Sequence, residues 1–521
     1  MKKIFLQFGF PALSLFFVAL VFPGAIFPAQ AQAPAPGTKD PKSSEAAELL
    51  ERAAKVEGAA KLAELQGLIL GLSGENRNQR QAYSLTGIAP PEEKESHLSY
   101  SFHDFRGKRY RLYSRENYYG GHDLRFETLY KEGVRYNITT QMRRYTKGEG
   151  GFDGGFSSLA VLPGFIILKA LERPATLTLI ESGEDIAKGE IAVEFDWRYG
   201  GRRRIYLDKE TASVLRLVWS RGDAITGTRK IERRFEGRQE LSGLSVPMVI
   251  MTYVNGRLWN SRTVTLVQPD PEFQPGTFEL DSDLVPFGDD GRVSPKHQRL
   301  GGAVHEISGF GGGLYRVIYV EFPSFVVVFD AILADSISDT AQDMIARLTG
   351  GKPIKYVVLS HNHTDHIRGL KSYAAAGAQF VVSPETAQRL AQFLGDPEEE
   401  EEALALKPII VARGRELSIR ERGVEMIVHN LGRTPHVSGL LTAELTRQKT
   451  FLQADGYFRF SSFGAMFDYY LNWVRNRGYQ RPLIVGVHSG LVRLGEIERA
   501  AVEDREGFTP KYLTDHDLKG E

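Results

Sequence analysis

The sequence predicts an α+β protein in which an antiparallel β-rich region, residues 97–285, precedes a layered region of strands and helices, residues 300–494. Three observations carry this reading. From His97 to about Gln268 short runs alternate in polarity and are split by turn residues, as in half-buried antiparallel strands. After about Leu300 short apolar runs take turns with amphipathic stretches, as where strands are layered against helices. One of those apolar runs empties into a dense polar loop, His361-Asn362-His363-Thr364-Asp365-His366. At 521 residues the chain is too long for one ordinary core, so two or more domains are expected.

The composition narrows the chemistry. Lys plus Arg and Asp plus Glu both number 65, so net charge offers no electrostatic case for a nucleic acid partner. The chain has no Cys, which excludes disulfides, thiolate ligands and cysteine nucleophiles. Any transition metal must be held by imidazoles and carboxylates.

The first segment reads as an export signal. Lys2 and Lys3 precede an apolar stretch from Ile4 to about Phe22, and Ala29-Gln30-Ala31 offers a small-residue cleavage site. Cleavage after Ala31 is expected, giving a signal peptide over residues 1–31. Gln7 and Pro11 weaken the competing reading, an uncleaved membrane span. A periplasmic or secreted protein is expected, with no stable membrane anchor after cleavage. Residues 32–42, rich in Pro and Ala, read as a linker.

Residues 43–96 form an N-terminal segment read as helical to about residue 73. Leu49, Leu50, Ala53, Ala54 and Val56 make an apolar stripe, and a second apolar piece, about Leu62–Leu70, follows a break at Gly58. The β-rich region then offers strands at Tyr110–Tyr113, Leu124–Tyr130, Ala175–Ile180, Ile191–Trp197, Arg204–Leu207, Val214–Trp219, Pro247–Val254 and Thr263–Val267. A helical insertion, Phe156–Leu171, carries a broad apolar face. The Gly clusters at 148–155 and 309–313 follow no strand-to-helix fingerprint and read as turns. Tyr206 to Thr211, Gly243 to Pro247 and Phe273 to Phe278 resemble the half-open sheet of lipoprotein-carrier-type envelope proteins. That resemblance implies an apolar ligand in the concave face; a structural or docking module is the other reading.

In the layered region, Leu314–Glu321 and Phe325–Phe329 read as a hairpin ending at Asp330. Helices are expected at Ser338–Leu348, Lys371–Ala376 and Pro384–Leu394, and strands at Tyr356–Ser360 and Gln379–Ser383. Asp396, Pro397 and the Glu run 398–402 read as a helix start, with Asp396 as N-cap. Residues 495–521 are left as a C-terminal tail.

The His loop offers imidazole nitrogens and a carboxylate, the donors that zinc and its neighbours prefer. One loop could feed two ions, His361 and His363 toward one and Asp365 and His366 toward the other. The pattern His361-x-His363-x-Asp365-His366 resembles the signature of the metallo-β-lactamase superfamily. That resemblance implies a four-layer αββα sandwich and three further ligands downstream: a single His near a turn, an Asp after a strand, and a late His. Gly432-Arg433-Thr434-Pro435 matches the turn but puts Arg where the ligand belongs, and Arg cannot ligate a metal. His436, with Gly439 three residues on, lies nineteen residues before Asp455, a span that fits the hairpin Leu440–Leu445 and Thr450–Gln453. His436 is therefore chosen, and Arg433 is left as a substrate-contact candidate. Asp455 follows the run Phe451–Ala454, and His488 follows Val485–Val487. His429 is read as structural, and His297, His305 and His516 receive no role.

The resemblance thus implies one divalent ion on His361, His363 and His436, and a second on Asp365, His366 and His488, with Asp455 bridging. Zinc leads, with iron or manganese as alternatives. It further implies a metal-dependent hydrolase that attacks a small-molecule ester, lactone, thiolester, amide or phosphoester with a hydroxide held between the ions, Asp365 acting as the catalytic residue that orients it. The bridging Asp455 resembles the thiolester, lactone and phosphoester branches more than the β-lactam-cleaving one. The alternative from another class is an envelope ligand-binding protein whose β-rich region carries an apolar ligand and whose metal region is structural or inactive.

Overall fold

The computed structural model describes residues 41–503 except 78, 86–89, 91–94, 199, 224–226, 394–406 and 462–463. The expected signal peptide, nearly all of the linker, the Asp396 helix start and most of the tail lie outside the described residues.

The N-terminal part is built on one large sheet. Fourteen strands between residues 67 and 286 join in it, antiparallel except where Val285–Pro286 pairs parallel with Arg144–Gly148. The chain leaves the central strand, Gly67–Asn76, in one direction through four antiparallel neighbours and then Arg144–Gly148. It restarts at the far edge and returns strand by strand until Arg257–Pro269 closes against Gly67–Asn76 from the other side. Helices Pro41–Val56 and Ala59–Glu64 pack over the second half of this sheet together with Phe156–Leu159 and Pro163–Leu171. Pro163 occupies the first turn of the last helix and splits the expected single insertion in two.

One expectation is corrected here. The helical reading to about residue 73 fails, because the helix stops at Glu64 and Gly67–Asn76 is a strand. Gly67, Gly71 and Gly74 each disfavour a helix by about 1 kcal/mol. All six residues of Gly67–Leu72 are buried, so this is a strand covered on both faces, and such a strand shows no alternation.

The C-terminal part is a sandwich of two sheets. The first has seven strands in chain order, from Lys296–Gly301 to Ile409–Ile410. Its early pairs are antiparallel, and from Val326–Phe329 onward the pairs are parallel. The second has six strands in chain order, from Glu416–Glu421 to Gly490–Arg493. Helices Asp335–Thr349, Leu370–Ala375 and Pro384–Phe393 flank the first sheet, and Ala465–Arg475 and Leu494–Glu503 flank the second. Both sheets and their helices share one core, running from Val326–Phe329 and Val357–Leu359 to Phe451, Leu452, Ile484 and Val485. The architecture is the four-layer αββα arrangement.

That core fixes where the polar loops go. Strands Ile354–Val358, Thr450–Gln453 and Leu483–Gly486 all release the chain at the same end of the sandwich. There the sheets are tied together: Leu441 N–H donates to the Ser360 carbonyl at 2.6 Å, and Arg316 N–H donates to the Val487 carbonyl at 3.0 Å.

Candidate metal centre

All seven sequence-selected residues meet at that end. His361, His363, His436 and Asp455 bring ligand-type atoms within 4.8 Å of one another, and so do Asp365, His366 and His488. Asp455 lies between the two sets. Its Oδ2 is 3.0 Å from His436 Nε2 and 3.3 Å from His361 Nε2. Its Oδ1 is 3.0 Å from His366 Nε2 and 3.3 Å from His488 Nε2.

The tautomers can be worked out from the far side of each ring. A ring nitrogen facing a carbonyl must carry the proton, because a carbonyl only accepts. His436 Nδ1–H therefore donates to the Tyr119 carbonyl at 2.7 Å, and His488 Nδ1–H to the Leu314 carbonyl at 3.4 Å. Asp330 fixes two more. Its Oδ2 accepts from His366 Nδ1–H at 2.8 Å and from the Ser360 hydroxyl at 3.0 Å, and Ser360 Oγ in turn accepts from His361 Nδ1–H at 2.9 Å. The Ser360 backbone N–H donates to the other Asp330 oxygen at 2.6 Å. With Nδ1 carrying the proton on each of these four rings, their Nε2 atoms point at a carboxylate as lone pairs unless a second proton is added. His366 Nε2 and His488 Nε2 also face each other at 3.3 Å.

Lone pairs facing lone pairs at these distances require positive charge between them. Both ring nitrogens of His363, His361 Nε2 and Asp455 Oδ1 are buried with no hydrogen-bond partner. Leaving such atoms unsatisfied is costly, and divalent cations would satisfy those that converge, one nitrogen of His363 among them. The residues present therefore fit a metal centre.

The electrostatics agree. Burial pushes His361 and His363 below the ordinary imidazole value, toward the neutral form that ligates. Burial would lift Asp455, but the His366 and His361 rings outweigh it and hold the carboxyl well below its usual range. Burial likewise opposes ionisation of Asp365, and His366 again prevails. Around His366 the carboxylates of Asp455, Asp365 and Asp330 overcome burial and favour positive charge, a second ring proton or an adjacent cation.

Asp365 has two supports that were not legible in the sequence. Gln81 Nε2 donates to its Oδ1 and the Tyr315 hydroxyl to its Oδ2, both at 2.8 Å. Tyr315 stays protonated, since burial and then Asp365 push its pKa well above the phenol value. A carboxylate oxygen has two lone pairs, so Oδ2 keeps one toward His366 Nε2, 3.3 Å away.

The N-terminal part supplies more than Gln81. The segment around it lies across the His loop: Asn362 Nδ2 donates to the Ala82 carbonyl at 3.2 Å, and Ser438 N–H to the Tyr83 carbonyl at 2.8 Å. A hairpin tip, Tyr119-Gly120-Gly121-His122, also docks on the site, and Met466 N–H donates to the Gly120 carbonyl at 2.9 Å. Gly120 has φ +86°, and a Cβ there would lie 2.8 Å from Met466 Cβ and 3.2 Å from His436 Cα, so only glycine lets the tip this close. His122 wedges between Phe458 and His436, with ring centroids 4.4 and 4.7 Å away, and burial keeps it neutral. Above the cluster, Tyr118, Leu124, Phe126, Leu314, Phe458 and Phe460 wall a pocket that reaches Asp365, Asp455 and His488.

Sequence reasoning also missed Asp330. It ends the strand Val326–Phe329 with φ +68°, an uncommon conformation for a non-glycine residue. Such strain persists only where the surroundings enforce it, here through three hydrogen bonds. Its position at the end of an apolar strand beside the His loop was the available signal. Among the described residues, His429, His297 and His305 stand apart from the cluster. His429 lies 3.1 Å from both Glu444 and Arg477, and His297 lies 3.0 Å from His305. Arg433 is exposed.

The fold and site define a metallo-β-lactamase-fold unit with a His/Asp cluster able to hold metal. The family comparison agrees: residues 327–451 match the model of the β-lactamase superfamily domain. No curated protein is significantly similar to the chain. Among solved structures, the chain is similar to the inverting sec-alkylsulfatase Pisa1 from Pseudomonas sp. at 13% identity, over 40% of this chain and 41% of that one, with a TM-score of 0.31. The match thus spans about two fifths of the alkylsulfatase's length. A metallo-β-lactamase from Pontibacter korlensis matches at 14% identity over 40% of this chain and 98% of its own, with a TM-score of 0.32. FIM-1 from Pseudomonas aeruginosa, in its mono-zinc form, matches at 15% over 40% and 94%, also at 0.32.

Proposed function

We propose that the chain is a hydrolase that uses two divalent metal ions, zinc first among candidates, to cleave an ester, lactone, thiolester, amide or phosphoester. The observation that carries this is the division of Asp455, one oxygen toward His361 and His436 and the other toward His366 and His488. His361, His363 and His436 would hold one ion, Asp365, His366 and His488 the other, and Asp455 both. When bound, such ions supply Lewis acidity and a water that ionises near neutral pH.

The chain's own residues set the rest. Asp330 and the Tyr119 and Leu314 carbonyls fix ring tautomers before any ion arrives. Gln81 and Tyr315 fix Asp365 and leave one lone pair on each of its oxygens, Oδ2 toward the ion and Oδ1 able to hold the proton of an attacking water. The apolar walls, from Tyr118 to Phe460, receive the uncharged part of the substrate and exclude bulk water. A water-poor site strengthens each charge interaction on the reacting group.

The test is a panel of nitrophenyl esters, lactones and phosphoesters, run with the metal-loaded protein and with a variant in which Asp365 and His366 are both Ala. Turnover in the wild type and loss of at least 100-fold in the variant are expected. Full retention of hydrolysis and of metal in the variant would end this reading. Export is part of the proposal, supported by the Lys2–Ala31 pattern; N-terminal sequencing of the mature protein, expected to start at Gln32, tests it.

A further inference from the structure

The large sheet buries charge of the opposite kind. Arg233 sits on the strand Gly227–Leu241 and is only 8% exposed. One guanidinium nitrogen donates to the Ala160 carbonyl at 2.7 Å, and its Nε has no hydrogen-bond partner. The charge that acts on it is Arg262, also positive, and Arg203 nearby feels Arg233 in turn. Burial pulls Arg233 down to about 10, still protonated at neutral pH.

The register shows what Arg233 faces. It pairs with Thr252, and Thr252 with Asn260, so three polar side chains stand in a row across three strands. One strand further on, Leu72 pairs with Ser99, and Leu70 with Ser101. These residues, with Ile250, Leu112 and Val161, line a cavity of about 70 Å³. That is room for about five waters. The hydroxyls of Ser101 and Ser114 reach it and are buried without partners. Arg262 already bonds the Glu75 carbonyl and Asn76, and Glu116 lies in its field. Among the described residues Arg233 thus meets no carboxylate, only the Trp219 ring with its centroid 5.6 Å away, and it stands beside unsatisfied hydroxyls and an apolar wall.

We propose that this cavity binds a short-chain carboxylate, its head group on Arg233 and the nearby hydroxyls, its chain against Leu70, Leu72 and Ile250. A planar carboxylate matches the open edge of a guanidinium whose other side is taken by Ala160. A single negative charge balances the Arg233 guanidinium that lines the cavity. The site is separate from the metal centre and independent of the proposed hydrolysis.

The test is thermal unfolding and titration calorimetry of the full chain with sodium acetate, butyrate and hexanoate at fixed ionic strength. Methyl butyrate, phosphate and sulfate are the controls. The same series is run on Asp455→Asn, so that carboxylates reaching the metal centre are distinguished. Butyrate or hexanoate should raise Tm by about 2–4 °C at saturating concentration in both proteins, and acetate less. The rise should vanish in Arg233→Met and weaken about tenfold in affinity in Thr252→Val. An equal response to methyl butyrate, an unchanged response in Arg233→Met or Thr252→Val, binding of phosphate or sulfate in place of carboxylates, or no response at all would overturn the proposal.

Discussion

The sandwich and the large sheet solve burial in opposite ways. In the sandwich, buried acceptors converge: four Nε2 lone pairs and Asp455 crowd together and call for cations. In the sheet, buried donors converge: Arg233 and the Ser101 and Ser114 hydroxyls call for an anion. Sheets and cores satisfy nearly all of their polar groups internally. A shared sign among the unsatisfied groups therefore marks a place for something that is not protein, and the sign says what.

The largest effect that would break this contrast is at Asp455. Asp455→Asn removes the charge that both His groups share, and we expect loss of both metals and a fall in hydrolysis of at least 1,000-fold. Metal analysis and a rate assay check it together; retention of both ions would mean that Asp455 does not bridge. Metal removal comes next. Chelation should lower Tm by several degrees, because bound ligand stabilises the native state by mass action. Carboxylates should raise Tm by the same amount before and after chelation, since they bind the other half.

Asp330→Asn is expected to cost about 10–100-fold in metal affinity or rate, the usual price of losing an outer partner of a ligand. The amide can no longer accept from Ser360 and His366 at once with both oxygens. A titration with competing chelator reads the affinity. Smaller again is Gln81→Ala, expected to slow turnover by about tenfold with metal content unchanged, because Asp365 keeps its bond from Tyr315. An unchanged rate would show that the N-terminal segment is only a cover.

The comparison also shows what a sequence can reveal. The His loop was legible because four candidate ligands fall within six residues after an apolar strand, and His436, Asp455 and His488 became legible through the resemblance to the metallo-β-lactamase pattern and its spacing. Gln81 was not, being 284 positions from Asp365, with nothing local to mark it. His122 and the Gly120-Gly121 tip were hidden for the same reason, since their partners arise only when the sheet docks on the sandwich. Most strands of the sheet were legible from alternation. The strand Gly227–Leu241 was not. Its inward positions run Arg229, Ile231, Arg233, Phe235, and two of the four are arginines. A pattern of apolar residues cannot register a buried charge, and here the buried charge is the feature of interest. Gly67–Asn76 was misread for the opposite reason: covered on both faces, it has no polar side to alternate with.

The measurement that tests the central claim most directly is metal content per chain by plasma mass spectrometry, on wild type and His436→Ala, each purified without chelator and with metal supplied. About two ions in the wild type and a clear drop in the variant are the results expected of a paired site divided by Asp455. Near zero in the wild type, or two in both proteins, would contradict it.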